Sequence, residues 1–216
     1  IYDVKWILTL NSILSSSDTG NGIGYTDFRI RGVAATSINI MLNGVPYNDS
    51  ESQGTFFVNV SDLASSSSQI IIQRGVGTSS NGIAAFGASV NILTKEPNNK
   101  PYFLTDLSYG SFNTEKRAFE AGTGSFLNNK LSLMARYTLT KSDGYIDRAF
   151  SNLKSYHITA LFKTEKTQLR FIAFGGKEKT YQAWNGINAN TYKTNRKYNS
   201  SGEIYTLSLI HIWRCR

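Results

Sequence analysis

Two arginines offer the clearest chemistry in this sequence, because each closes a short strand-like run and is followed by a glycine. Arg31 precedes Gly32, and Arg74 follows the apolar run 70–72 and precedes Gly75. A guanidinium presents a planar fork of donors that suits carboxylates. Where it is buried, it requires such a partner. The pattern therefore indicates ion pairing by Arg31 and Arg74.

A pair of carboxylates in the polar segment 47–57 is the best candidate for acid–base chemistry. Asp49 and Glu51 lie two positions apart, between Asn48 and Gln53. Two carboxylates can divide the acid and base roles when their environments differ. No nucleophile or oxyanion site accompanies them, so we expect no catalytic residues and no enzyme.

Cofactor and metal chemistry also lack support. His157 has no Cys, His or carboxylate at ligand spacing, whereas structural metal sites need several such ligands. Gly75, Gly77 and Gly82 do not match a dinucleotide fingerprint or a phosphate-binding loop. We expect no cofactor and no metal.

The elements that position these residues are β-rich. An Asn43-Gly44 pair after the run 38–42 predicts a hairpin turn, and Ser61 with Asp62 predicts the start of a short helix. Apolar and polar residues alternate over 103–109, 131–140, 156–162 and 169–173. Tight turns at 128–129 and 165–166 and long polar segments at 142–154 and 176–202 separate them. Such strands and loops are typical of an outer-membrane barrel, although a soluble sandwich also alternates, with its apolar face inward.

A set of short motifs, in order and spacing, resembles the plug domain of TonB-dependent outer-membrane receptors. The motifs are Ile30-Arg31-Gly32, Leu42-Asn43-Gly44-Val45-Pro46, Ile72-Gln73-Arg74-Gly75, Gly82, Phe86-Gly87 and Asn91-Ile92-Leu93-Thr94. The resemblance implies a mixed α/β plug domain over 1–96, followed over 101–206 by antiparallel strands of an incomplete transmembrane β-barrel. It gives structural roles to Gly32, Gly44, Gly75, Gly82 and Gly87. The segments 22–32 and 48–53 resemble the Bacteroidota branch of the family.

The same resemblance implies a function. The intact receptor would import a scarce nutrient through the bacterial outer membrane. An iron–siderophore complex is the favoured substrate, because iron chelates are the commonest substrates of the family. Its partners would be the TonB complex of the inner membrane, a small-molecule ligand such as a metal chelate, and outer-membrane lipid. The alternative from another class is a surface or soluble β-rich adhesion or binding domain without transport.

The family resemblance also implies which residues contact the ligand and which lock the plug. Ligand contacts are expected from polar and aromatic residues of the plug loops and the last long segment: Asp18, Asn21, Tyr25, Asn48, Asp49, Glu51, Gln53, Phe56, Tyr181, Trp184 and Asn185. Tyr181 and Trp184 fit equally well in an aromatic girdle at the membrane interface, and the loop 15–26 fits equally well as a flexible surface turn. Arg31 and Arg74 are expected to lock the plug to barrel glutamates beyond residue 216.

The net charge and the two ends of the sequence carry further information. The formal net charge is +8, but no nucleic-acid module is recognisable, so we expect no nucleic-acid partner. The first ten residues do not resemble a secretory signal, so a signal peptide and TonB box are expected upstream. Residues 207–216 resemble a translated sequencing adapter, with Trp213 at a stop codon; the alternative is an ordinary last strand. In the adapter reading His211 and Cys215 carry no meaning.

Overall fold

The computed structural model describes residues 13–17, 22–75, 86–181, 183 and 185–202. No helix among these residues is long and apolar enough to cross a membrane. The predicted helical period before Ile13 and the tail 207–216 lie outside the described residues, as does Gly82.

The first part of the chain, here called the plug (13–94), contains two small sheets. Its elements are β1 (Ile13–Ser17), β2 (Thr26–Ile30), β3 (Val33–Ala34), β4 (Ile38–Leu42), β5 (Val45–Pro46), β6 (Ser67–Arg74), β7 (Ala88–Thr94), and 3-10 helices at Ala35–Ser37 and Phe57–Val60. One sheet has the order β1-β2-β3, and the other β5-β4-β7-β6. Only the β4–β7 pair is parallel among the described strand pairs.

The plug core forms where β4 and β7 run side by side. Ile40 pairs with Val90, both side chains are completely buried, and Phe28 packs into the same cluster. A Cβ atom at Gly87 would lie 2.6 Å from Val33 Cγ1, closer than carbon atoms approach. Glycine at 87 therefore lets the chain entering β7 pack against the β2–β3 hairpin.

Two hairpin turns explain two of the predicted motifs. Asn43 and Gly44 have φ values of 53° and 81° and connect β4 to β5, as the sequence predicts. Arg31 and Gly32 have φ values of 52° and 80° and connect β2 to β3. Positive φ at both central residues is the geometry of a tight hairpin turn. Arg31 is thus a turn residue and not the last residue of a strand.

The second part of the chain, here called the wall, is a five-stranded antiparallel meander. Its strands are β8 (Pro101–Gly110), β9 (Thr114–Phe126), β10 (Leu131–Ser142), β11 (Ser151–Lys163) and β12 (Gln168–Thr180). The predicted fold class, a plug domain followed by antiparallel strands of an incomplete barrel, is confirmed. Helix α1 (Ala189–Thr194) follows the wall.

The wall differs from the sequence reading in two respects. Strand β9 had no counterpart among the predicted alternating runs, because charged residues and glycines interrupt its apolar face. The long segments are also shorter than predicted: β11 begins at Ser151 and β12 continues to Thr180. The two predicted long loops are therefore reduced to 143–150, between β10 and β11, and to the segment that follows Thr180.

The two faces of the wall have opposite polarity, and the polar face is the buried one. Along β10, Ser132, Arg136 and Thr138 are buried, whereas Leu133 and Tyr137 are 36% and 44% exposed. The same alternation continues in β11, where His157 and Thr159 are buried and Tyr156 and Ile158 are exposed. The polar face packs on the plug, and the apolar face points away from the protein.

Candidate functional site

A buried ion cluster joins the plug to the wall. Asp62 of the plug accepts a hydrogen bond from Arg136 Nε at 2.5 Å and one from Thr138 Oγ1 at 2.6 Å. Lys116 Nζ lies 2.7 Å from the other carboxylate oxygen. All three charged side chains are about 5% exposed or less. The contact pairs charges that would otherwise be buried without a counter-charge.

Arg136 extends the cluster along the wall. Its Nη1 donates to Glu120 Oε2 at 3.0 Å, and Tyr102 donates its hydroxyl to the other Glu120 oxygen at 2.8 Å. Tyr102 lies across Gly122, where a Cβ atom would come within 2.3 Å of the ring. The glycine thus makes room for the phenol to reach Glu120. Lys95, just after the plug, completes the set at 3.4 Å from Glu120.

Electrostatics keep Asp62 ionised in spite of its burial. Burial raises the pKa of the Asp62 carboxyl, but the positive charges of Lys116 and Arg136 and the hydrogen bond from Arg136 outweigh it. The net result is a pKa below the ordinary value. Asp62 therefore carries its charge at neutral pH.

A second plug–wall contact holds the end of β7. Arg170 of β12 donates from Nη2 to the Thr94 carbonyl oxygen at 2.9 Å and to Thr94 Oγ1 at 3.0 Å. Its Nη1 reaches Glu96 at 3.3 Å. Asn43 Oδ1 accepts from the Thr94 amide at 2.9 Å. The end of the plug is thus fixed to both the wall and the β4–β5 turn.

A large open cavity of about 1100 Å³ lies between the plug loops and the loops above the wall. Aromatic and polar side chains of both parts form its lining: Tyr25, Thr26, Asp27, Ala35, Thr36, Ser52, Gly54, Thr55, Phe56, Tyr145, Ile146, Ala183, Asn185, Gly186, Ile187, Tyr192, Arg196 and Tyr198. Arg196 stacks 4.8 Å from the centre of the Tyr192 ring. A cavity of this size with aromatic walls and few charges suits a small-molecule ligand.

The cavity brings together some of the predicted ligand residues. Tyr25, Phe56 and Asn185 line it. Tyr25 also donates to Glu178 of β12 at 3.2 Å, and Asn185 donates to Ser200 and Ser201. Ligand contact at these three positions stays a prediction.

Asn48 and Asp49 do not line the cavity. Asn48 Oδ1 accepts from the Ile40 amide at 2.7 Å, and its Nδ2 donates to the Ile38 carbonyl at 2.9 Å. Asp49 is exposed and accepts from the Ser52 amide at 2.7 Å. The Asp49 carboxylate also accepts hydrogen bonds from the Ser52 hydroxyl and from the Glu51 amide. Together these hydrogen bonds lower the pKa of Asp49. Both residues shape the loop whose members Ser52 and Gly54 line the cavity.

The remaining predicted ligand residues have varied positions. Glu51 and Gln53 are exposed beside the cavity loop. Tyr181 packs on Phe150, with ring centres 6.2 Å apart, and is absent from the lining. Asp18, Asn21 and Trp184 lie outside the residues whose side chains the structure describes.

The two predicted locking arginines lie close to each other and away from the ion cluster. A Cβ atom at Gly75 would be 3.6 Å from Arg31 Nη1, so Arg31 reaches the end of the strand that carries Arg74. Both arginines are exposed. Within the described part of the chain, the buried plug–wall ion pairs use Asp62 of the plug and basic residues of the wall, the reverse of the predicted polarity.

Sequence reasoning missed several site residues. The sequence predicts a helix start at Asp62, but the chain after Ser61 forms turns. The Asp62 carboxylate binds Arg136 and Lys116 of the wall instead of capping a helix. Tyr145, Tyr192 and Arg196 lie in long polar segments. The occurrence of aromatic and basic residues in long polar segments is the one sequence feature that could have indicated these three as ligand contacts.

Comparisons with known proteins agree with this architecture. No protein-family model and no curated protein matches the chain. The chain resembles the ferric citrate transporter FecA in its unliganded form, with 15% identity over 91% of this chain and 31% of that one and a TM-score of 0.71. It also resembles the copper transporter OprC, with 17% identity over 82% of this chain and 28% of that one, at a TM-score of 0.66.

The ferripyoverdine receptor of the outer membrane of Pseudomonas aeruginosa, bound to ferripyoverdine, shares 13% identity over 84% of this chain and 24% of that one, with a TM-score of 0.64. The chain has the fold of the plug and first barrel strands of such receptors. It spans between 24% and 31% of the length of these three structures.

Proposed function

We propose that this chain is the plug and the first barrel strands of a TonB-dependent outer-membrane receptor that imports a scarce nutrient and catalyses no reaction. The observation that carries the proposal is the inverted polarity of the wall. Arg136 and Thr138 point to the plug, and Tyr137 and Ile158 point outward. A soluble sheet buries its apolar face, whereas a membrane barrel exposes it to lipid. In this proposal residues 1–96 form the plug and 101–206 belong to the barrel.

The dimensions of the apolar band support a membrane location. On β10 the outward face carries Leu131, Leu133, Ala135, Tyr137 and Leu139. A rise of about 3.3 Å per residue makes the stretch from Leu131 to Leu139 roughly 26 Å long along the strand. A tilt of about 40° reduces its height to roughly 20 Å, close to the band of about 25 Å in outer-membrane barrels.

The cavity supports a small-molecule ligand, and we infer an iron–siderophore complex or another metal chelate. Tyr25, Tyr145 and Tyr192 offer aromatic surface with hydroxyl groups, Phe56 offers a further aromatic ring, and Arg196 offers a positive charge. Such groups suit a large polar chelate with anionic donor atoms. The similar solved structures include a ferric citrate transporter and a receptor bound to ferripyoverdine.

Energy coupling through the TonB complex of the inner membrane belongs to the proposal, as do the Bacteroidota origin and the non-native character of 207–216. A soluble adhesion domain fits less well, because it would expose the apolar face of five adjacent strands to water. Large exposed apolar patches mark interaction surfaces or aggregation sites.

Uptake by cells tests the proposed function. A strain that lacks the intact receptor gene should lose growth on a ferric chelate as sole iron source, and the cloned gene should restore growth. The restored growth should disappear when the TonB complex is deleted. Restored growth that is independent of TonB would contradict active transport. A receptor that fractionates as a soluble protein would contradict the outer-membrane assignment.

A further inference from the structure

A loop in the segment after β12, here called the outer loop (185–201), carries Tyr192 and Arg196 to the cavity. Its far end is fixed to the neighbouring loop of the chain, because Arg148 donates from Nε to the Ser201 carbonyl oxygen at 3.0 Å. The placement of the two cavity residues therefore depends on what holds the near end of the outer loop.

Asn185 holds the near end of the outer loop against this fixed end. Its Nδ2 donates to Ser200 Oγ at 3.1 Å and to Ser201 Oγ at 3.2 Å. The two serines are 15 and 16 positions away in the chain, so a single side-chain amide closes the whole loop. A reaction that converts this amide into an acid removes both N–H donors at once.

The residue that follows Asn185 leaves this amide open to attack by the backbone. An asparagine loses its amide when the next backbone nitrogen attacks the side-chain carbonyl carbon, and glycine, which has no Cβ, hinders this attack least. Gly186 is exposed, and a Cβ atom there would meet nothing within 4 Å. Among the described residues, no backbone acceptor binds the Gly186 amide. Its nitrogen can therefore act as the nucleophile.

The Asn43-Gly44 pair provides the comparison, because the same dipeptide is held rigidly there. Asn43 Oδ1 accepts from the Thr94 amide at 2.9 Å, and its Nδ2 donates to Thr94 Oγ1 at 3.1 Å. The Asn43 side chain cannot turn its carbonyl carbon toward the Gly44 nitrogen without losing these hydrogen bonds. The pairs at 21–22 and 81–82 include residues outside the described part of the chain. Of the two described Asn-Gly pairs, the structure thus favours reaction at Asn185.

We propose that Asn185 is a deamidation site whose conversion loosens the outer loop and weakens ligand binding in the cavity. The Gly186 nitrogen forms a bond to Asn185 Cγ and passes its proton, through solvent, to the side-chain nitrogen, which leaves as ammonia. Water then opens the cyclic imide to aspartate or isoaspartate, so the reaction needs no other co-reactant. The product places a negative charge on the cavity lining, and isoaspartate also adds one carbon to the loop backbone. The effect on the ligand rests on the proposed function.

The test incubates the intact receptor in detergent at neutral and at mildly alkaline pH, and peptide mass spectrometry measures the conversion at each asparagine. Conversion at Asn185 should increase in proportion to the hydroxide concentration, because the attacking amide must lose its proton, whereas Asn43 should stay intact. The matched variant is Gly186→Ala, which adds a methyl group in open space at a φ outside the left-handed range. It should keep the thermal stability of the wild type and convert at least several-fold more slowly.

Two further measurements test the consequences of the conversion. Trypsin should cleave the aged wild type faster than the fresh protein after Lys193, which is exposed in the outer loop, and should cleave aged and fresh Gly186→Ala at the same rate. The affinity of the wild type for the ferric chelate that supports growth should fall about two- to tenfold on ageing, which corresponds to the loss of about one net hydrogen bond.

The outcomes separate the parts of the inference. Equal conversion at Asn185 and Asn43, or in the wild type and Gly186→Ala, would overturn the site. Full conversion with unchanged trypsin cleavage would overturn the role of Asn185 in holding the outer loop, and unchanged affinity would overturn its effect on the ligand. Failure of every ferric chelate to support growth would contradict the proposed function and not the deamidation site, which mass spectrometry tests by itself.

Discussion

Asp62 and Arg136 connect the plug to the wall through a contact of 2.5 Å between Oδ2 and Nε, although the residues are 74 positions apart in the chain. Both side chains are almost completely buried. Arg136 also binds Glu120, and Asp62 also binds Lys116. This cluster is the main electrostatic attachment between the two parts in the described residues, and it predicts how the plug responds to substitution and to acid.

Removal of the Asp62 charge should loosen the plug. In the intact receptor, Asp62→Asn removes the buried counter-charge of Lys116 and one of the two buried carboxylates that contact Arg136, which should reduce the free energy that holds the plug by about 3–5 kcal/mol. Small-solute leak and protease cleavage of the plug should both increase. The control is Asp49→Asn, which alters an exposed carboxylate that contacts only its own loop. If the Asp62→Asn plug is as well protected as the wild type, the cluster has no locking role.

Acid should weaken the same attachment in a defined range. The pKa of Asp62 in the folded protein is below the ordinary value of 3.8, so the unfolded protein binds the proton more tightly. The stabilisation is therefore fully present above about pH 3.8 and is lost as the pH falls through the lowered pKa. Plug protection against an acid-stable protease should stay constant from neutral pH to about pH 5 and decline only below the ordinary aspartate pKa. A decline centred near pH 6 would indicate that another group controls the plug.

Arg74 retains its predicted locking role as a proposal for the intact barrel. Arg74→Ala should raise leak and protease sensitivity there, because further barrel strands can supply glutamates to this exposed end of β6. The effect should be smaller than that of Asp62→Asn, since Arg74 is exposed in the described structure and exposed ion pairs contribute about 0–1 kcal/mol. A plug that is as protected in Arg74→Ala as in the wild type would assign the residue to the surface.

Substitutions in the cavity loop should separate ligand contact from loop support. Phe56 is 48% exposed and lines the cavity, so Phe56→Ala should weaken ligand binding with little change in thermal stability. Asn48 holds the Ile38 and Ile40 backbone, so Asn48→Ala should lower the free energy of unfolding by about 1–3 kcal/mol. Ligand titration and thermal denaturation of both variants measure the two effects. Unchanged stability of Asn48→Ala would contradict its supporting role.

The sequence predicts the parts of this fold that depend on local patterns. The Asn43-Gly44 hairpin, the apolar core strands and the outward alternation of β10 and β11 each follow from the residues within one element. Strand β9 was not predicted, because Glu115 and Arg117 occupy outward positions that are apolar or aromatic along most of β10 and β11. Too few apolar residues alternate in β9 for the pattern to be recognised within that strand.

The site was harder to predict than the fold, because its contacts join distant segments. Asp62 follows Ser61 in a pattern typical of a helix start, and nothing near it in sequence indicates a basic partner. Arg31 and Arg74 stand out as Arg-Gly pairs, yet the tight turn at Arg31 directs that side chain toward Gly75. The plug–wall pairing and the cavity depend on how two separately patterned parts pack together.

The central claim is that the outward face of the wall contacts lipid, and site-directed spin labelling of the intact receptor in vesicles measures this most directly. In a background from which any native cysteines of the intact receptor are removed, one label is placed at Ala160→Cys on the apolar band and a second at Asn152→Cys, two residues from Lys154 toward loop 143–150. The account predicts that the label at 160 is accessible to molecular oxygen and protected from a water-soluble nickel chelate, while the label at 152 shows the opposite preference. A label at 160 that the nickel chelate reaches as readily as the label at 152 would show that this face is in water, and would contradict the account.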